Sequence, residues 1–264
     1  SVVADSARVG YERNFMGTAY GPAVLLIICI GVYIITEFNP LGWRRTPWLL
    51  ISEYRIVWGT EFFLREVREG QVWRLITPIF LHGGILHIVF NMMWLRDLGS
   101  FIENRFGAGY LAGLILASAI LSNVGQALWG SPDFGGMSGV NYALFGFLWM
   151  CGRFDRTRAW ALHPHIVYTM IGWFIVCYTG LFGNIANTAH AVGLAVGALW
   201  GYLSSGHLRW GNGSPLGFSF AAVPSYDFIA HLDRQVPGLH CSFLPGLGGT
   251  DASEAAVARA LEWF

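Results

Sequence analysis

Long apolar runs alternate with short polar stretches along this chain, and the runs have the length of membrane-crossing helices. A helix needs about 20 mainly apolar residues to cross the hydrocarbon core of a bilayer. The longest run, 159–208, holds two helices, because glycines and asparagines at 179–187 interrupt it. The pattern predicts an all-α, polytopic membrane protein with six transmembrane helices, at about 15–36, 82–95, 107–128, 137–152, 164–180 and 187–204.

Two segments lie outside the predicted helices. The connection 39–81 is long and carries arginines and glutamates of mixed sign, so we predict a folded extracytoplasmic loop. Residues 206–264 are rich in Gly, Pro, Ser and His and are predicted to form a cytoplasmic tail, to which the sequence assigns no role. A short helix is predicted at 251–264, where two acidic residues have capping-box spacing. Residues 1–205 then form the membrane domain.

The composition agrees with a membrane protein and argues against other classes. Hydrophobic residues make up 54% of the chain and charged residues 12%, about half the charged fraction of an ordinary soluble domain. The net charge is zero, and the 16 basic residues, all arginines, are spread between apolar runs. No basic face for a nucleic acid is indicated. The lipid bilayer is the expected partner.

The distribution of arginines predicts the orientation of the helices. Short cytoplasmic loops are enriched in basic residues. Arg96 and Arg105 follow the second predicted helix and Arg153 follows the fourth, whereas the connections 131–136 and 183–187 contain no arginine. Both termini are therefore predicted to be cytoplasmic, and helices two, four and six begin at the outer face.

Four polar side chains fall at one depth in the predicted bundle. His87, Asn91, Ser138 and His190 all lie within the first turns of helices that begin at the outer face. His87 and Asn91 are four residues apart and share a helix face, as do Ser138 and Tyr142. Polar groups inside a membrane are expensive and usually mark function. This layer is the candidate site.

A stripe of small residues can bring the fourth and sixth helices together. His190, Gly193 and Gly197 recur every three or four residues on one face of the sixth helix, and Gly139 lies near the start of the fourth. Small residues at this spacing allow two helix backbones to approach closely. Such packing is predicted to bring Ser138 within reach of His190.

The residue types in this layer suit acyl transfer. A serine needs a neighbouring base to act as a nucleophile at neutral pH, and His190 is the candidate on a facing helix. No acidic residue lies at that depth to make a triad, so a Ser–His dyad is predicted, with Tyr142 stacked on the imidazole. His87, Asn91 and the Ser138 backbone N–H are the candidate donors for an oxyanion.

Five short motifs occur in order along the predicted helices and loops. They are Trp73-Arg74, the HxxxxHxxxN of His82, His87 and Asn91, the ExRxG-type turn of Glu103, Arg105 and Gly107, the GxSG of Gly136, Ser138 and Gly139, and the AHxxGxxxG of Ala189, His190, Gly193 and Gly197. Together they resemble the motifs of the rhomboid intramembrane serine proteases, over roughly residues 15–205.

The resemblance implies a six-helix rhomboid bundle in a membrane, most simply the bacterial inner membrane. It implies that the protein hydrolyses a peptide bond in or near the transmembrane segment of a membrane-protein substrate, without metal or cofactor. The active site would open to the extracytoplasmic side, and the fifth helix and the loop 181–189 would move to admit substrate. Trp73 and Arg74 are expected to order the loop, while His82, Gly136, Gly139, Gly193 and Gly197 support the site.

Three other interpretations fit the sequence less well. A rhomboid-like protein without activity, which binds transmembrane helices, usually lacks the serine or the histidine, and both are present here. A transporter would need a polar path across the whole membrane, and the polar layer reaches only its outer half. A metal pair at His163 and His165 lacks a third ligand, so no metal site is predicted.

Overall fold

A computed structural model of the protein describes the membrane domain and a short part of the tail. All described residues belong to one compact unit, Tyr11–Phe218. The predicted tail helix at 251–264 lies outside the described residues, as do 39–45 and 54–63 of the predicted loop. The described residues are 19–37, 46–53, 64–155, 161–181 and 185–205, together with strands at 209–210 and 214–215.

Six α-helices longer than one turn occur in this described part, and we number them α1 to α6. α1, α2 and α3 are long and apolar enough to cross a membrane, and α5 is a shorter apolar helix. The all-helical, membrane-protein fold class is confirmed by these elements. The helices are α1 (Tyr20–Glu37), α2 (Ile85–Phe106), α3 (Ala108–Trp129), α4 (Ser138–Phe154), α5 (Pro164–Tyr178) and α6 (Asn187–Ser204).

The second helix differs most from its predicted bounds of 82–95. α2 begins after Gly84, which has a φ of +114°, and it continues to Phe106. Its charged side chains at Arg96 and Asp97 form an ion pair of 2.7 Å without interrupting the helix. Charged residues end the apolar run in the sequence, but the helix itself can continue beyond the membrane into water. Gly107, at a φ of +91°, makes the turn into α3.

α1 is fastened to the far end of α2 by one carboxylate. The backbone N–H groups of Tyr20 and Gly21 donate to the two carboxylate oxygens of Glu103, at 3.1 and 2.9 Å. The first N–H groups of a helix have no partner within it, and a negative charge there is favourable. Glu103 therefore caps a helix that lies 82 residues earlier in the chain.

Small residues bring α4 and α6 into backbone contact. At three successive turns, a methyl group added to a glycine of α6 would overlap the backbone of α4. Glycine at this spacing allows two helices to pack with their main chains touching. The two helices that carry Ser138 and His190 are therefore held at a short, fixed separation. The facing pairs are Gly193 with Gly139, Gly197 with Ala143 and Gly201 with Phe147.

The described part of the long loop between α1 and α2 is folded. It contains a one-turn helix, Arg65–Arg68, and short 3₁₀ helices. The buried carboxylate of Glu66 accepts hydrogen bonds from the Ser52 hydroxyl and the Glu53 backbone N–H, at 2.9 and 2.7 Å. The 3₁₀ helices are Pro47–Leu49, Val72–Leu75 and Thr77–Phe80.

Arg74 joins two parts of this loop. Its guanidinium is buried and donates to the backbone oxygens of Pro47 and Leu50, at 2.6 and 2.9 Å. It also donates to the side chains of Gln71 and Glu53. Only the rigid fork of an arginine can reach all four acceptors at once.

Replacing Arg74 by lysine should therefore destabilise the protein by about 2–4 kcal/mol, because a buried cation would lose several of its hydrogen bonds and partly buried acceptors would lose their donors. Thermal unfolding of the detergent-solubilised protein measures the effect. Arg65→Lys is the matched control, since the ion pair of Arg65 with Glu69 is exposed and contributes less than about 1 kcal/mol. An Arg74→Lys variant that unfolds at the wild-type temperature would contradict this structural role.

Two short strands follow the helical domain. β1 (Arg209–Trp210) and β2 (Ser214–Pro215) pair antiparallel, with Arg209 opposite Pro215 and Trp210 opposite Ser214. The sequence analysis did not predict them, because two-residue strands carry no periodic signal.

Candidate active site

Two helix N-termini meet at the centre of the candidate site. Ser138 is the first residue of α4, and His190 lies in the first turn of α6. The Ser138 Oγ and the His190 Nε2 are 2.8 Å apart, although 52 positions separate these residues in the sequence. His190 is buried and Ser138 is half-buried. At this distance a hydroxyl can pass its proton to an imidazole, as a base-activated serine requires.

The imidazole of His190 is supported by packing. Its Nδ1 is buried and has no hydrogen-bond partner among the described residues. The Tyr142 ring lies against it, with ring centroids 4.8 Å apart and an interplanar angle of 41°. The Tyr142 hydroxyl donates to the backbone oxygen of Met170 on α5, at 3.3 Å, which restrains the phenol. The Tyr142 ring therefore packs against the imidazole and restricts its orientation.

Side chains of α3 and α6 hold the first turn of α6. Gln126 on α3 accepts a hydrogen bond from the Ala189 backbone N–H, at 3.0 Å. Asn187 donates from its Nδ2 to the Cys177 backbone oxygen on α5, at 3.2 Å. Gln126 thereby positions the turn that carries His190. The sequence analysis missed Gln126, although a glutamine within a predicted apolar helix is itself a signal of a functional or structural role.

His82 ties the segment before α2 to the turn before α4. It is fully buried, and the Met137 backbone N–H donates to its Nε2 at 3.4 Å. The neutral ring then carries its proton on Nδ1, which donates to the Phe80 backbone oxygen at 3.2 Å. His82 therefore orders the residue that precedes Ser138.

Gly136 is needed where the chain passes His87. Its φ of +127° lies in a region that residues with a side chain rarely adopt. A methyl group there would also overlap the imidazole of His87. Its backbone N–H donates to the Pro78 oxygen at 3.0 Å. The glycine thus allows His87 to lie close to the turn that ends at Ser138.

His87 and Asn91 lie one turn apart on α2 and both face the cavity beside Ser138. The Gly83 backbone N–H donates to the His87 Nδ1 at 3.3 Å, so the neutral ring carries its proton on Nε2. The Asn91 Nδ2 donates to the His87 backbone oxygen at 2.9 Å. Both residues therefore bring a side chain that carries an N–H group to the lining of the cavity.

A second asparagine, which the sequence analysis also missed, contacts Asn91. The Asn141 Nδ2 on α4 donates to the backbone oxygen and to the side-chain Oδ1 of Asn91, each at 3.0 Å. Asn141 lies between Ser138 and Tyr142, the two α4 residues already singled out. The sequence feature that could have identified Asn141 is its polar side chain within a mostly apolar helix.

A cavity of about 500 Å³ lies between α2, α4, α5 and α6 and reaches both Ser138 and His190. Its wall is mostly apolar. Across it, Phe90 on α2 and Trp173 on α5 are in contact, with ring centroids 5.8 Å apart. Of the loop 181–189, which the resemblance predicts to move, Ile185 and Ala186 line the cavity, whereas 182–184 lie outside the described residues.

Known proteins have sequences similar to that of this chain. The sequence model of the Rhomboid domain family matches residues 69–207, which include every element of the site described above. The chain belongs to the rhomboid family. It is 34% identical over 202 residues to a rhomboid protease GlpG of Yersinia pestis (strain Pestoides F). It is 33% identical over 198 residues to the rhomboid protease GlpG of Yersinia enterocolitica serotype O:8 / biotype 1B (strain NCTC 13174 / 8081).

Each of these matches covers 74% of this rhomboid and 66% of the relative. The chain thus spans slightly less than two thirds of the length of the relatives that it matches. Family membership and the apolar helices together make the protein an integral membrane protein.

Trp73 and Arg74 lie away from the cavity of this rhomboid. The Trp73 indole is half exposed, and its N–H donates to the Trp48 backbone oxygen at 3.2 Å. Together with the contacts of Arg74, this bond holds the loop that precedes α2. Neither residue is among those that line the cavity.

The polar groups around the cavity form a chemically coherent set. A hydroxyl, a proton acceptor 2.8 Å from it and two N–H-bearing side chains surround one apolar space. These are the parts that acyl transfer requires: a nucleophile, a base and donors for a developing negative charge. Such interactions are stronger beside a mostly apolar wall than in bulk water, because the effective dielectric constant there is lower.

Proposed function

We propose that this rhomboid is an intramembrane serine endopeptidase, with Ser138 as nucleophile and His190 as general base. The observation that carries the proposal is the 2.8 Å distance between the Ser138 Oγ and the His190 Nε2 at the base of a cavity within apolar helices. The family match and the relatives' description as rhomboid proteases support it.

In the first half of the reaction, the Ser138 Oγ attacks the carbonyl carbon of the scissile peptide bond. Its proton passes to the His190 Nε2, and the imidazolium then gives that proton to the departing amine as the carbon–nitrogen bond breaks. The product is an acyl ester on Ser138. In the second half, His190 deprotonates a water that attacks the ester, and the serine regains its proton.

The negative charge on the tetrahedral intermediate needs donors that are already in position. His87, Asn91 and the Ser138 backbone N–H are the proposed donors. Each such donor is commonly worth about 10²–10³-fold in rate. The proton on the His87 Nε2, inferred from the hydrogen bond that its Nδ1 accepts, supports this role. The mechanism uses no metal or cofactor.

The proposed substrates are membrane proteins that present a transmembrane segment to the cavity. The mostly apolar wall suits such a segment. The described contact between α2 and α5 across the cavity, Phe90 with Trp173, is where separation of the two helices would open a lateral path from lipid. The loop 181–189 and α5 would move with it.

We further propose that both termini are cytoplasmic and that the site opens to the extracytoplasmic side of a bacterial inner membrane. Arg96 and Arg105 lie in the second half of α2, and Arg153 lies in the last turn of α4, whereas Ser138 is at the start of α4, and this placement supports the orientation. The matched relatives are bacterial, which supports the choice of membrane.

The alternative of an inactive protein that binds transmembrane helices is not favoured by any of these observations. Such a protein has no need of a hydroxyl and an imidazole in hydrogen-bonding contact, and this chain has both.

The proposal predicts that a fluorophosphonate probe labels the purified, detergent-solubilised protein at Ser138. The probe reacts with serine hydroxyls that a base has activated. Peptide mass spectrometry locates the adduct, and His190→Ala, which keeps the hydroxyl and removes the base, serves as the matched variant. We expect an adduct on Ser138 in the wild type and a labelling rate at least about 10²-fold lower in His190→Ala. Equal labelling of the two proteins, or none in folded wild type, would overturn the proposal.

A further inference from the structure

Asn141 lies where it can control the orientation of Asn91. It is three residues beyond Ser138 on α4, so the two share a helix face. Its side chain is only 3% exposed, in a bundle where buried polar groups need a reason. The Asn141 Nδ2 reaches across to α2 and donates to the Asn91 Oδ1 and to the Asn91 backbone oxygen, each at 3.0 Å.

These bonds determine which way the Asn91 amide points. A carboxamide has an oxygen that accepts and a nitrogen that donates, and its two orientations have nearly the same shape. With Asn141 donating to the Oδ1, the Asn91 nitrogen must occupy the other position. There it donates one hydrogen to the His87 backbone oxygen at 2.9 Å, and its second hydrogen is left for an acceptor in the cavity that Asn91 lines, such as an oxyanion. The reversed amide would present an acceptor, which repels an oxyanion.

The side-chain oxygen of Asn141 indicates that asparagine is not the residue that would make the fold most stable at this position. Its Oδ1 is buried and has no hydrogen-bond partner in the described part of the chain. A buried acceptor without a partner lowers stability. An apolar side chain of the same shape would avoid that loss. The donor end of the amide, which holds Asn91, is therefore the part that the site uses.

We propose that Asn141 is a positioning residue that fixes the Asn91 amide as an oxyanion donor. The inference rests on the proposed function and adds to it a residue that acts through Asn91 without touching the reacting atoms. It predicts that Asn141 affects the turnover rate and leaves the affinity for the substrate nearly unchanged.

The test replaces Asn141 by leucine, which has the same branched shape but neither donor nor acceptor. With a transmembrane peptide substrate in detergent, we expect kcat to fall about 10-fold, less than loss of a whole oxyanion donor, and KM to change less than about twofold. Cys151→Ala, a buried change at the other end of α4, should leave kcat unchanged.

Two further measurements separate positioning from a general structural role. The Asn141→Leu variant should unfold within a few degrees of the wild type, because it exchanges one unsatisfied buried acceptor for another. In an Asn91→Ala background, Asn141→Leu should have no further effect on kcat, since the residue through which it acts is gone.

The inference is overturned if Asn141→Leu cleaves at the wild-type rate, if its unfolding temperature falls together with its activity, or if its effect persists in Asn91→Ala. These outcomes are distinct from failure of the proposed function, in which the wild type itself neither cleaves the peptide nor is labelled at Ser138.

Discussion

Replacing Ser138 by alanine should abolish cleavage of a transmembrane substrate while leaving the protein folded. The hydroxyl of Ser138 is the proposed nucleophile. Among the described hydrogen bonds, it is the only group that contacts the His190 Nε2, at 2.8 Å, so no neighbouring group can take its place. Loss of a serine nucleophile lowers kcat by about 10⁴-fold or more in enzymes of this type. We expect product formation to fall below the detection limit of the cleavage assay.

The fold should survive, because the Ser138 side chain makes no cap for α4 and its described bond is to His190 alone. Alanine is also a good residue for a helix. The unfolding temperature of the purified variant therefore serves as the control for folding. Ser204→Ala, at the opposite end of α6, is the matched variant and should cleave normally, although it removes a bond of 3.0 Å to Tyr110. Retained cleavage by pure, folded Ser138→Ala protein would disprove the proposed mechanism.

The second large effect should come from a single methyl group at Gly197. Alanine usually stabilises a helix relative to glycine by about 1 kcal/mol. At Gly197, however, the added methyl would overlap the carbonyl group of Ala143 on α4. The two helices must move apart, and overpacking of this kind costs about 1–3 kcal/mol. The change also separates Ser138 from His190, and a misplacement of about 1 Å can lower the rate about 10²-fold.

Gly31→Ala is the matched control, because a methyl group there meets no atom within 4 Å. We expect Gly197→Ala to unfold at a lower temperature and to cleave at least about 10-fold more slowly, whereas Gly31→Ala is as stable and active as the wild type. Thermal unfolding and peptide cleavage on the same detergent preparations measure both effects. If the two variants behave alike, close contact between α4 and α6 does not hold the site together.

The family and the fold class could be predicted from the sequence, and both are confirmed. Apolar runs and motif spacing are properties of short stretches of chain, so they are visible without tertiary structure. The bounds of α2 were harder to predict, because its charged residues mark the membrane surface while its backbone remains helical to Phe106.

The site could be predicted only in part. The depth of His87, Asn91, Ser138 and His190 follows from helix direction and rise per residue, which the sequence indicates. The spacing of Gly193 and Gly197 likewise predicts close packing of the last helix. The catalytic roles of these residues are proposals. The distances between their side chains come from the tertiary structure.

The sequence by itself determined that this chain is a rhomboid of apolar helices with a polar layer near one end of them. Only the tertiary structure decided which polar groups are partners: Glu103 with the start of α1, Gln126 with the first turn of α6, and Asn141 with Asn91. Each of these bonds joins different helices. Their formation depends on how the helices are rotated and how closely their backbones approach, and residue spacing within a single helix contains neither quantity.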